Sequence, residues 1–459
     1  MNRILLTDSY KIGHFKQYPA DTEVVYSYFE SRGGDFNVTT FFGLQYFIKE
    51  YLMKPITQEE INEAKEMLTT HFGSDKAFNL DGWQYIVDSY GGKLPVKIDA
   101  VKEGRTIPTS NVLMTIENTD PKCFWLTNYL ETLLVQVWYP TTVATISRAC
   151  KQIILKYLEE TGDTVGIPFK LHDFGFRGVS SVESAGIGGV AHLTNFMGTD
   201  TLQALVVAKK YYGSDCAGFS IPASEHSTMT SWGKDNEVKA FENMLEQYKD
   251  FPIIACVSDS YDIYRACEEH WGTTLKDKVM NHNGTTVIRP DSGSPKPVIL
   301  KCLDILWDKF GGTTNEKGYK VLDPHVRMIQ GDGVDLFAIE DILEAMKVAG
   351  WSADNIAFGM GGGLLQKLNR DTQKFAFKCS AIKRDGKWND VYKDPITSDF
   401  KKSKKGRLVL AGGKTFPISV FEEPVVAGLY NELEPVFKNG TLLRDQTLDE
   451  IRKITNSGV

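Results

Sequence analysis

The chain has 459 residues, 42% of them hydrophobic and 24% charged, with a formal net charge of −7. This balance excludes extended disorder, the acidic excess argues against a nucleic-acid partner, and no apolar run approaches the ~18 residues of a membrane span. At roughly 100–200 residues per domain, the length predicts two to four domains, or one large barrel with an attached module. Seven cysteines are scattered without a CxxC pair, which disfavours a disulfide framework or a zinc site. The opening stretch, MNRILLTDSYKIGHF, has too short an apolar core for a signal peptide, and the scattered, odd number of cysteines favours a reducing cytosol, so a cytoplasmic location is expected.

In chain order, strand-like runs at 23–31 (EVVYSYFES), 94–104 (LPVKIDAVKEG) and 111–118 (NVLMTIEN) are mixed with helices, one from Thr57 to about Thr70. Residues 121–160 read as long helices interrupted near Pro140. From about residue 170 one arrangement recurs: a short apolar run ends in polar or glycine-rich residues and leads into a helical pattern. It occurs at 169–178, 251–262, 285–295, 326–335 and 355–368, with room for another unit around GFSIPASEH. Alternation of this kind predicts βα units on a parallel sheet, closed as an α/β barrel, with an open doubly wound sheet as the competing fold. After residue 375 short strands return (FAFKCSAIKR, WNDVYKDP, LVLAGG). The expectation is a barrel over 149–375 and a second, discontinuous α+β domain made of 1–148 plus 376–459.

Parallel βα units bring the C-terminal ends of all strands to one face, where barrel active sites are built from loops. Here those loops carry Asp173, Arg177, Asp259, Arg289, Asp291, Asp332 and a run of glycines. Any one of them fits a solvated turn; five polar loops, each just after a strand, favour a shared site. The glycines of GMGGGLLQKL let backbone amides at a helix start approach a phosphate, although tight turns use glycine too. Arg289 has the planar fork that binds phosphate or pyrophosphate oxygens in pairs. The aspartates of IRPDSG and QGDGVD suit ribose hydroxyls or Mg²⁺. His226, in ASEHS, is placed among small residues where it could be a base, a metal ligand or a phosphate acceptor. The basic run KKSKKGR (401–407) fits a solvated charge run, a nucleic-acid patch, or an arm that closes over a polyanion.

At these motifs the sequence resembles the nicotinamide phosphoribosyltransferases, which are type II phosphoribosyltransferases. The likeness runs nearly end to end, through TDSYKIGHFKQYP, VYSYFESR, HDFGFRGVSS, AHLTNFMGTDT, PASEHSTMTSWGKDNE, IRPDSG, IQGDGVD, FGMGGGLLQKLNRD, YKDP and SKKGR. It implies an irregular α/β barrel with a second domain drawn from both chain ends, and a homodimer with shared active sites. Phosphoribosyl pyrophosphate and nicotinamide are the implied substrates, giving nicotinamide mononucleotide for NAD salvage. ATP is implied as phosphoryl donor to His226, and Mg²⁺ as cofactor. Phe174 and Tyr10 of the partner subunit would sandwich the pyridine ring, with Arg177 nearby and Asp200 accepting from the amide. Asp259 would bond to His226, and Arg289 would contact substrate and pyrophosphate. Asp291 and Asp332 would reach the ribose, and Gly331, Gly361 and Gly362 the ribose and 5′-phosphate. Arg370, Lys378, Lys393 and Lys401 would serve phosphates, some of them across the dimer. Ala255 and Ala376 depart from the family pattern, each standing where a relative has serine.

Three alternatives set the limits of this reading. Nicotinate phosphoribosyltransferase is the nearest, but a carboxylate substrate would be repelled by Asp200. A sugar-phosphate aldolase or isomerase barrel would share the phosphate loop, yet no Schiff-base lysine or enediol base stands among the strand ends. A non-catalytic binding protein would have lost His226 or the Asp/Arg set, and all are present.

Overall fold

The computed structural model describes residues 1–397, 402–412, 419–422 and 429–457. The chain divides into two units, one made of Met1–Thr145, Lys210–Ser214 and Leu368–Val459, the other of Ile146–Lys209 and Asp215–Lys367.

The first unit is built on a seven-stranded antiparallel sheet. Its order is Lys387–Asp390, Phe375–Arg384, Thr22–Ser31, Val112–Asn118, Val96–Ala100, Glu434–Lys438 and Thr441–Leu442. The apolar run of Thr22–Ser31 buries Val25, Tyr28 and Phe29 completely, as a central strand must. It pairs with Phe375–Arg384 in the register Tyr28↔Lys378 and Ser31↔Phe375, so both ends of the chain share one sheet. Helix Gln58–Phe72 opens with a capping box between Thr57 and Glu60 and stops at Gly73, whose φ of 64° is left-handed.

Pro140 does not interrupt a helix. It lies in the first turn of Trp138–Thr161, where the N–H that proline lacks has no intrahelical partner anyway. Lys210–Ser214 groups with the first unit because Gln45 Nε2 and Lys49 Nζ each donate to the Tyr211 carbonyl at 2.8 Å, and Tyr212 stacks on Phe42. The unit boundaries fall at 145/146 and 367/368, three and eight residues before 148/149 and 375/376, and only contacts mark the 210–214 excursion.

The second unit holds a six-stranded parallel sheet. Its order is Gly198–Thr199, Leu171–Asp173, Ile356–Met360, Val326–Gln330, Thr285–Arg289 and Ile253–Val257. Helices such as Val182–His192, Pro295–Phe310 and Leu336–Val348 alternate with these strands. Between the two edge strands lies the irregular segment 219–223. Phe219 bridges to Gly198 and Ala223 to Ala255, both in parallel sense, and this closes the barrel. Pro222 cannot donate to a ladder and cuts the short alternation of Phe219, Ser220 and Ile221, so the segment bridges without becoming a strand. Ala255, Val287 and Ile329 form a buried cluster, with Phe174, Ile221 and Ala357 packed against it. Among the described residues no helix is long and apolar enough to cross a membrane, and all seven cysteines are free.

Candidate active site

Each barrel strand delivers one part of the site. After Asp173 the chain turns sharply: Asp173 Oδ1 accepts the Gly175 amide at 2.7 Å, and the Phe174 amide donates to the Met360 carbonyl at 3.0 Å. This turn aims the Phe174 ring across Gly359. A Cβ at Gly359 would lie 1.9 Å from Phe174 Cε2, so only glycine allows the ring there. A Cβ at Gly331 would lie 3.1 Å from Arg289 Nε and 3.3 Å from Phe174 Cε2, so that glycine also makes room for both side chains. The Arg289 guanidinium carbon is 5.7 Å from the Phe174 ring centre.

Asp200 follows the strand Gly198–Thr199; its amide donates to the Asp173 carbonyl at 3.0 Å, and the Ser220 hydroxyl donates to its Oδ1. Arg289 closes on Asp291 with Nη2 at 2.5 Å and Nε at 3.1 Å from the same oxygen. His226 begins the short helix His226–Thr230 and is 45% exposed. Its Nε2 is 2.9 Å from Asp259 Oδ1, and its Nδ1 is 3.9 Å from Asp291 Oδ2. Asp259 Oδ2 accepts the Asp291 amide at 2.9 Å and the Ser292 hydroxyl. Burial pushes the Asp259 carboxyl up, but hydrogen bonds from Ser292, His226 and the Asp291 amide outweigh it and hold it below its ordinary value. Asp173 is fully buried, and burial raises its carboxyl to about 6 against the Gly175 contact. Burial lowers His172, which lies near Phe174 with a ring separation of 6.3 Å, while the Asp200 charge pulls it the other way.

These loops enclose a cavity of about 710 Å³. Phe174, Arg177, Asp200, Arg289, Asp291, Gly331, Asp332, Gly361 and Gly362 line it, and Asp291 ties it to His226 and Asp259. The lining also includes Lys367 and Phe176, which the sequence reading did not single out. Lys367 hides in the helical pattern of LLQKL; its distance of four positions from Gly363 is the only signal that could have raised it. A second, more apolar cavity of about 320 Å³ is lined by His172, Phe219, Ser220, Ile253, Val287 and Ile329, among others.

The remaining candidates belong to the first unit. Tyr10 sits in a 3₁₀ turn, 63% exposed, edge-on to His14. Lys378 lies on Phe375–Arg384, donates to the Phe377 carbonyl at 3.0 Å, and is lowered by burial. Lys393 shares a cavity of about 420 Å³ with Lys402, Lys404 and Lys405. Arg370 opens the turn Arg370–Thr372, and Ala376 faces Glu30 in the sheet register. Lys401 lies outside the described residues.

Residues 169–441 match the family model for the nicotinate phosphoribosyltransferase (NAPRTase) family, and residues 2–98 match the nicotinamide phosphoribosyltransferase N-terminal domain. The chain belongs to the nicotinate phosphoribosyltransferase family. Among its relatives in this family is a protein of Xanthomonas campestris pv. campestris named nicotinamide phosphoribosyltransferase. It is 54% identical, over 98% of this chain and 97% of that one. A protein of the same name from Acinetobacter baylyi is 33% identical, over 99% and 97%. The fold of this family member is also that of the nicotinate-nucleotide pyrophosphorylase of Pyrococcus furiosus. That match has a TM-score of 0.60 at 14% identity, covering 98% of this chain and 93% of the other.

Proposed function

We propose that this enzyme transfers the phosphoribosyl group of phosphoribosyl pyrophosphate to nicotinamide, forming nicotinamide mononucleotide and pyrophosphate in NAD salvage. The reading is carried by one cavity in which the Phe174 ring and the Asp200 carboxylate stand with Arg177, Arg289, Lys367 and the backbone of Gly361–Gly363. A flat, neutral amide heterocycle suits the first pair. A phosphorylated sugar with a pyrophosphate leaving group suits the rest.

The pyridine nitrogen is already a nucleophile, so no base is needed to make it one. The barrier lies in breaking the C1–O bond through a cationic ribosyl; the nitrogen enters on one face as pyrophosphate leaves on the other, with inversion. Phe174 and Asp200 hold the ring in line, and Arg289 and Arg177 meet the charge that grows on pyrophosphate. Asp332 and the Gly331 backbone are placed for the ribose.

No group of three or more His, Cys, Asp or Glu is arranged to hold a metal among the described residues. Mg²⁺ in this reading would be carried mainly by phosphate oxygens and water and would neutralise leaving-group charge in the cavity that Asp291 and Asp332 line.

ATP enters this reading as phosphoryl donor to His226. If Nε2–H donates to Asp259, the lone pair of the neutral ring sits on Nδ1. That nitrogen attacks the γ-phosphorus, the P–O bond to ADP breaks, and the phosphoryl group remains on the ring. The active species is a homodimer in the cytosol, with Tyr10 and basic residues of the first unit given to the partner's cavity. Exposed Leu202 (70%) and Val206 (55%), one helical turn apart, supply apolar surface for such an interface.

The deciding experiment is a steady-state assay offering nicotinamide and nicotinate side by side, with and without ATP. Preference for nicotinamide, strengthened by ATP, is the expected result. Preference for nicotinate would overturn the reading.

A further inference from the structure

The Asp200 carboxylate is held by more than its own strand. Its amide is fixed to the Asp173 carbonyl at 3.0 Å. Its Oδ1 receives the hydroxyl of Ser220, which belongs to the irregular closing segment 219–223. That segment is itself anchored on both sides. Thr199 N donates to the Phe219 carbonyl at 3.0 Å and Phe219 N to the Met197 carbonyl at 2.7 Å, while Ala255 N donates to the Pro222 carbonyl at 2.9 Å. Ser220 therefore has a fixed position relative to Asp200, despite lying outside any regular strand.

A serine hydroxyl has one hydrogen to give. Its one other acceptor among the described residues is the Ile221 carbonyl at 3.5 Å, too long to compete with a carboxylate. The direction of approach matters as well. Asp200 lines the cavity that holds Phe174, whereas Ser220 lines the second, more apolar cavity of the barrel. The hydroxyl thus comes to the carboxylate from a residue that lines the second cavity and not the first. It engages Oδ1 and leaves Oδ2 available to a ligand.

We infer that Ser220 is a specificity-positioning residue: it orients Asp200 so that the free carboxylate oxygen accepts from the substrate carboxamide. This rests on the reading that Asp200 is the amide acceptor. Without the Ser220 hydroxyl the carboxylate can rotate about its terminal torsion, which is intrinsically soft. The amide would then meet a disordered acceptor, and a competing carboxylate substrate would meet a less focused negative charge.

The test compares Ser220→Ala, Ser220→Thr and Asp200→Asn in the full-length enzyme with saturating phosphoribosyl pyrophosphate, after thermal melting has verified folding. Ser220→Ala should raise KM for nicotinamide about tenfold, on the scale of one hydrogen bond to a charged group, and lower the nicotinamide-to-nicotinate ratio of kcat/KM by a similar factor. Its kcat should stay within about twofold, since the bond is made to the bound ring and not to the reacting C1–O bond. Ser220→Thr keeps the hydroxyl and should keep the ratio. If Asp200→Asn loses amide preference while Ser220→Ala keeps both KM and ratio, the Ser220 inference is wrong and the Asp200 reading stands. Equal losses in Ser220→Ala and Ser220→Thr would also overturn it, because the hydroxyl would not be the cause. An Asp200→Asn enzyme with unchanged preference would remove the Asp200 reading, and this inference with it.

Discussion

Asp259 stands between His226 and the loop of Asp291: one of its oxygens meets His226 Nε2 at 2.9 Å, and the other takes the Asp291 amide at 2.9 Å together with the Ser292 hydroxyl. This division of labour makes Asp259→Asn informative. The oxygen of an asparagine must stay where two donors already point, so its NH₂ group faces His226. Nε2 then has to accept, and the proton moves to Nδ1, which is no longer a nucleophile. Phosphorylation of the ring by ATP should fall by about 10²–10⁴, the usual scale for a mispositioned acid–base partner. Slow ribosyl transfer should persist, as it should in His226→Ala. Acid-labile labelling from γ-labelled ATP measures the first effect and product formation without ATP the second. Full labelling of Asp259→Asn would mean that the ring does not depend on this tautomer.

Gly359→Ala tests the placement of Phe174. A methyl group 1.9 Å from a ring carbon forces the ring to move. Overpacking of this kind costs ~1–3 kcal/mol, so a lowered Tm should accompany a rise of about tenfold or more in KM for nicotinamide. Unchanged KM would show that the ring of Phe174 does not bear on the heterocycle.

Asp173 gives a pH signature. Its folded-state carboxyl lies near 6, above the ordinary 3.8. A raised acid binds its proton more tightly in the folded state, so it favours folding at low pH and loses that contribution as pH rises from about 4 to 6. The loss is on the order of 2–3 kcal/mol. Denaturant titrations of Asp173→Asn across this window should lack the wild-type downward slope. An identical slope in both proteins would place the titration elsewhere.

The dimer can be tested by complementation. Tyr10→Ala and Arg289→Ala chains, each inactive alone, should regain activity on mixing, because one hybrid site then carries both wild-type residues. An active monomer in sedimentation would count against shared sites.

Much of the barrel was legible because five of its six strands are short runs that lead into Asp, Arg or Gly; the two-residue strand Gly198–Thr199 carries no such run. Nine of the seventeen site candidates named from sequence line one cavity. Other features left no pattern to read. The segment 219–223 joins the sheet edges through bridges alone, and Pro222 cuts the alternation of Phe219, Ser220 and Ile221 short before a strand period is set. Lys210–Ser214 is assigned by contacts to Gln45, Lys49 and Phe42, more than 160 residues earlier. Asp173 had a readable signal that went unused: an Asp two positions before a Gly commonly caps that glycine's amide in a tight turn. Its burial, and the raised carboxyl that follows, needed coordinates.

The bridging segment also decides where the barrel yields. The edge strands are stitched to it by the amides of Thr199, Phe219, Ser224 and Ala255. The neighbouring pair Ile253–Val257 and Thr285–Arg289, by contrast, runs five residues in register. Opening this seam breaks four backbone hydrogen bonds and leaves the Ile253–Val257 and Thr285–Arg289 ladder intact, so it is a low-energy excursion from the closed form. In hydrogen–deuterium exchange those four amides should lose protection before the ladder amides of Ile253–Val257 and Thr285–Arg289. Because Ser220 and His226 ride on or beside the same segment, a ligand that engages either one would slow that exchange from a distance.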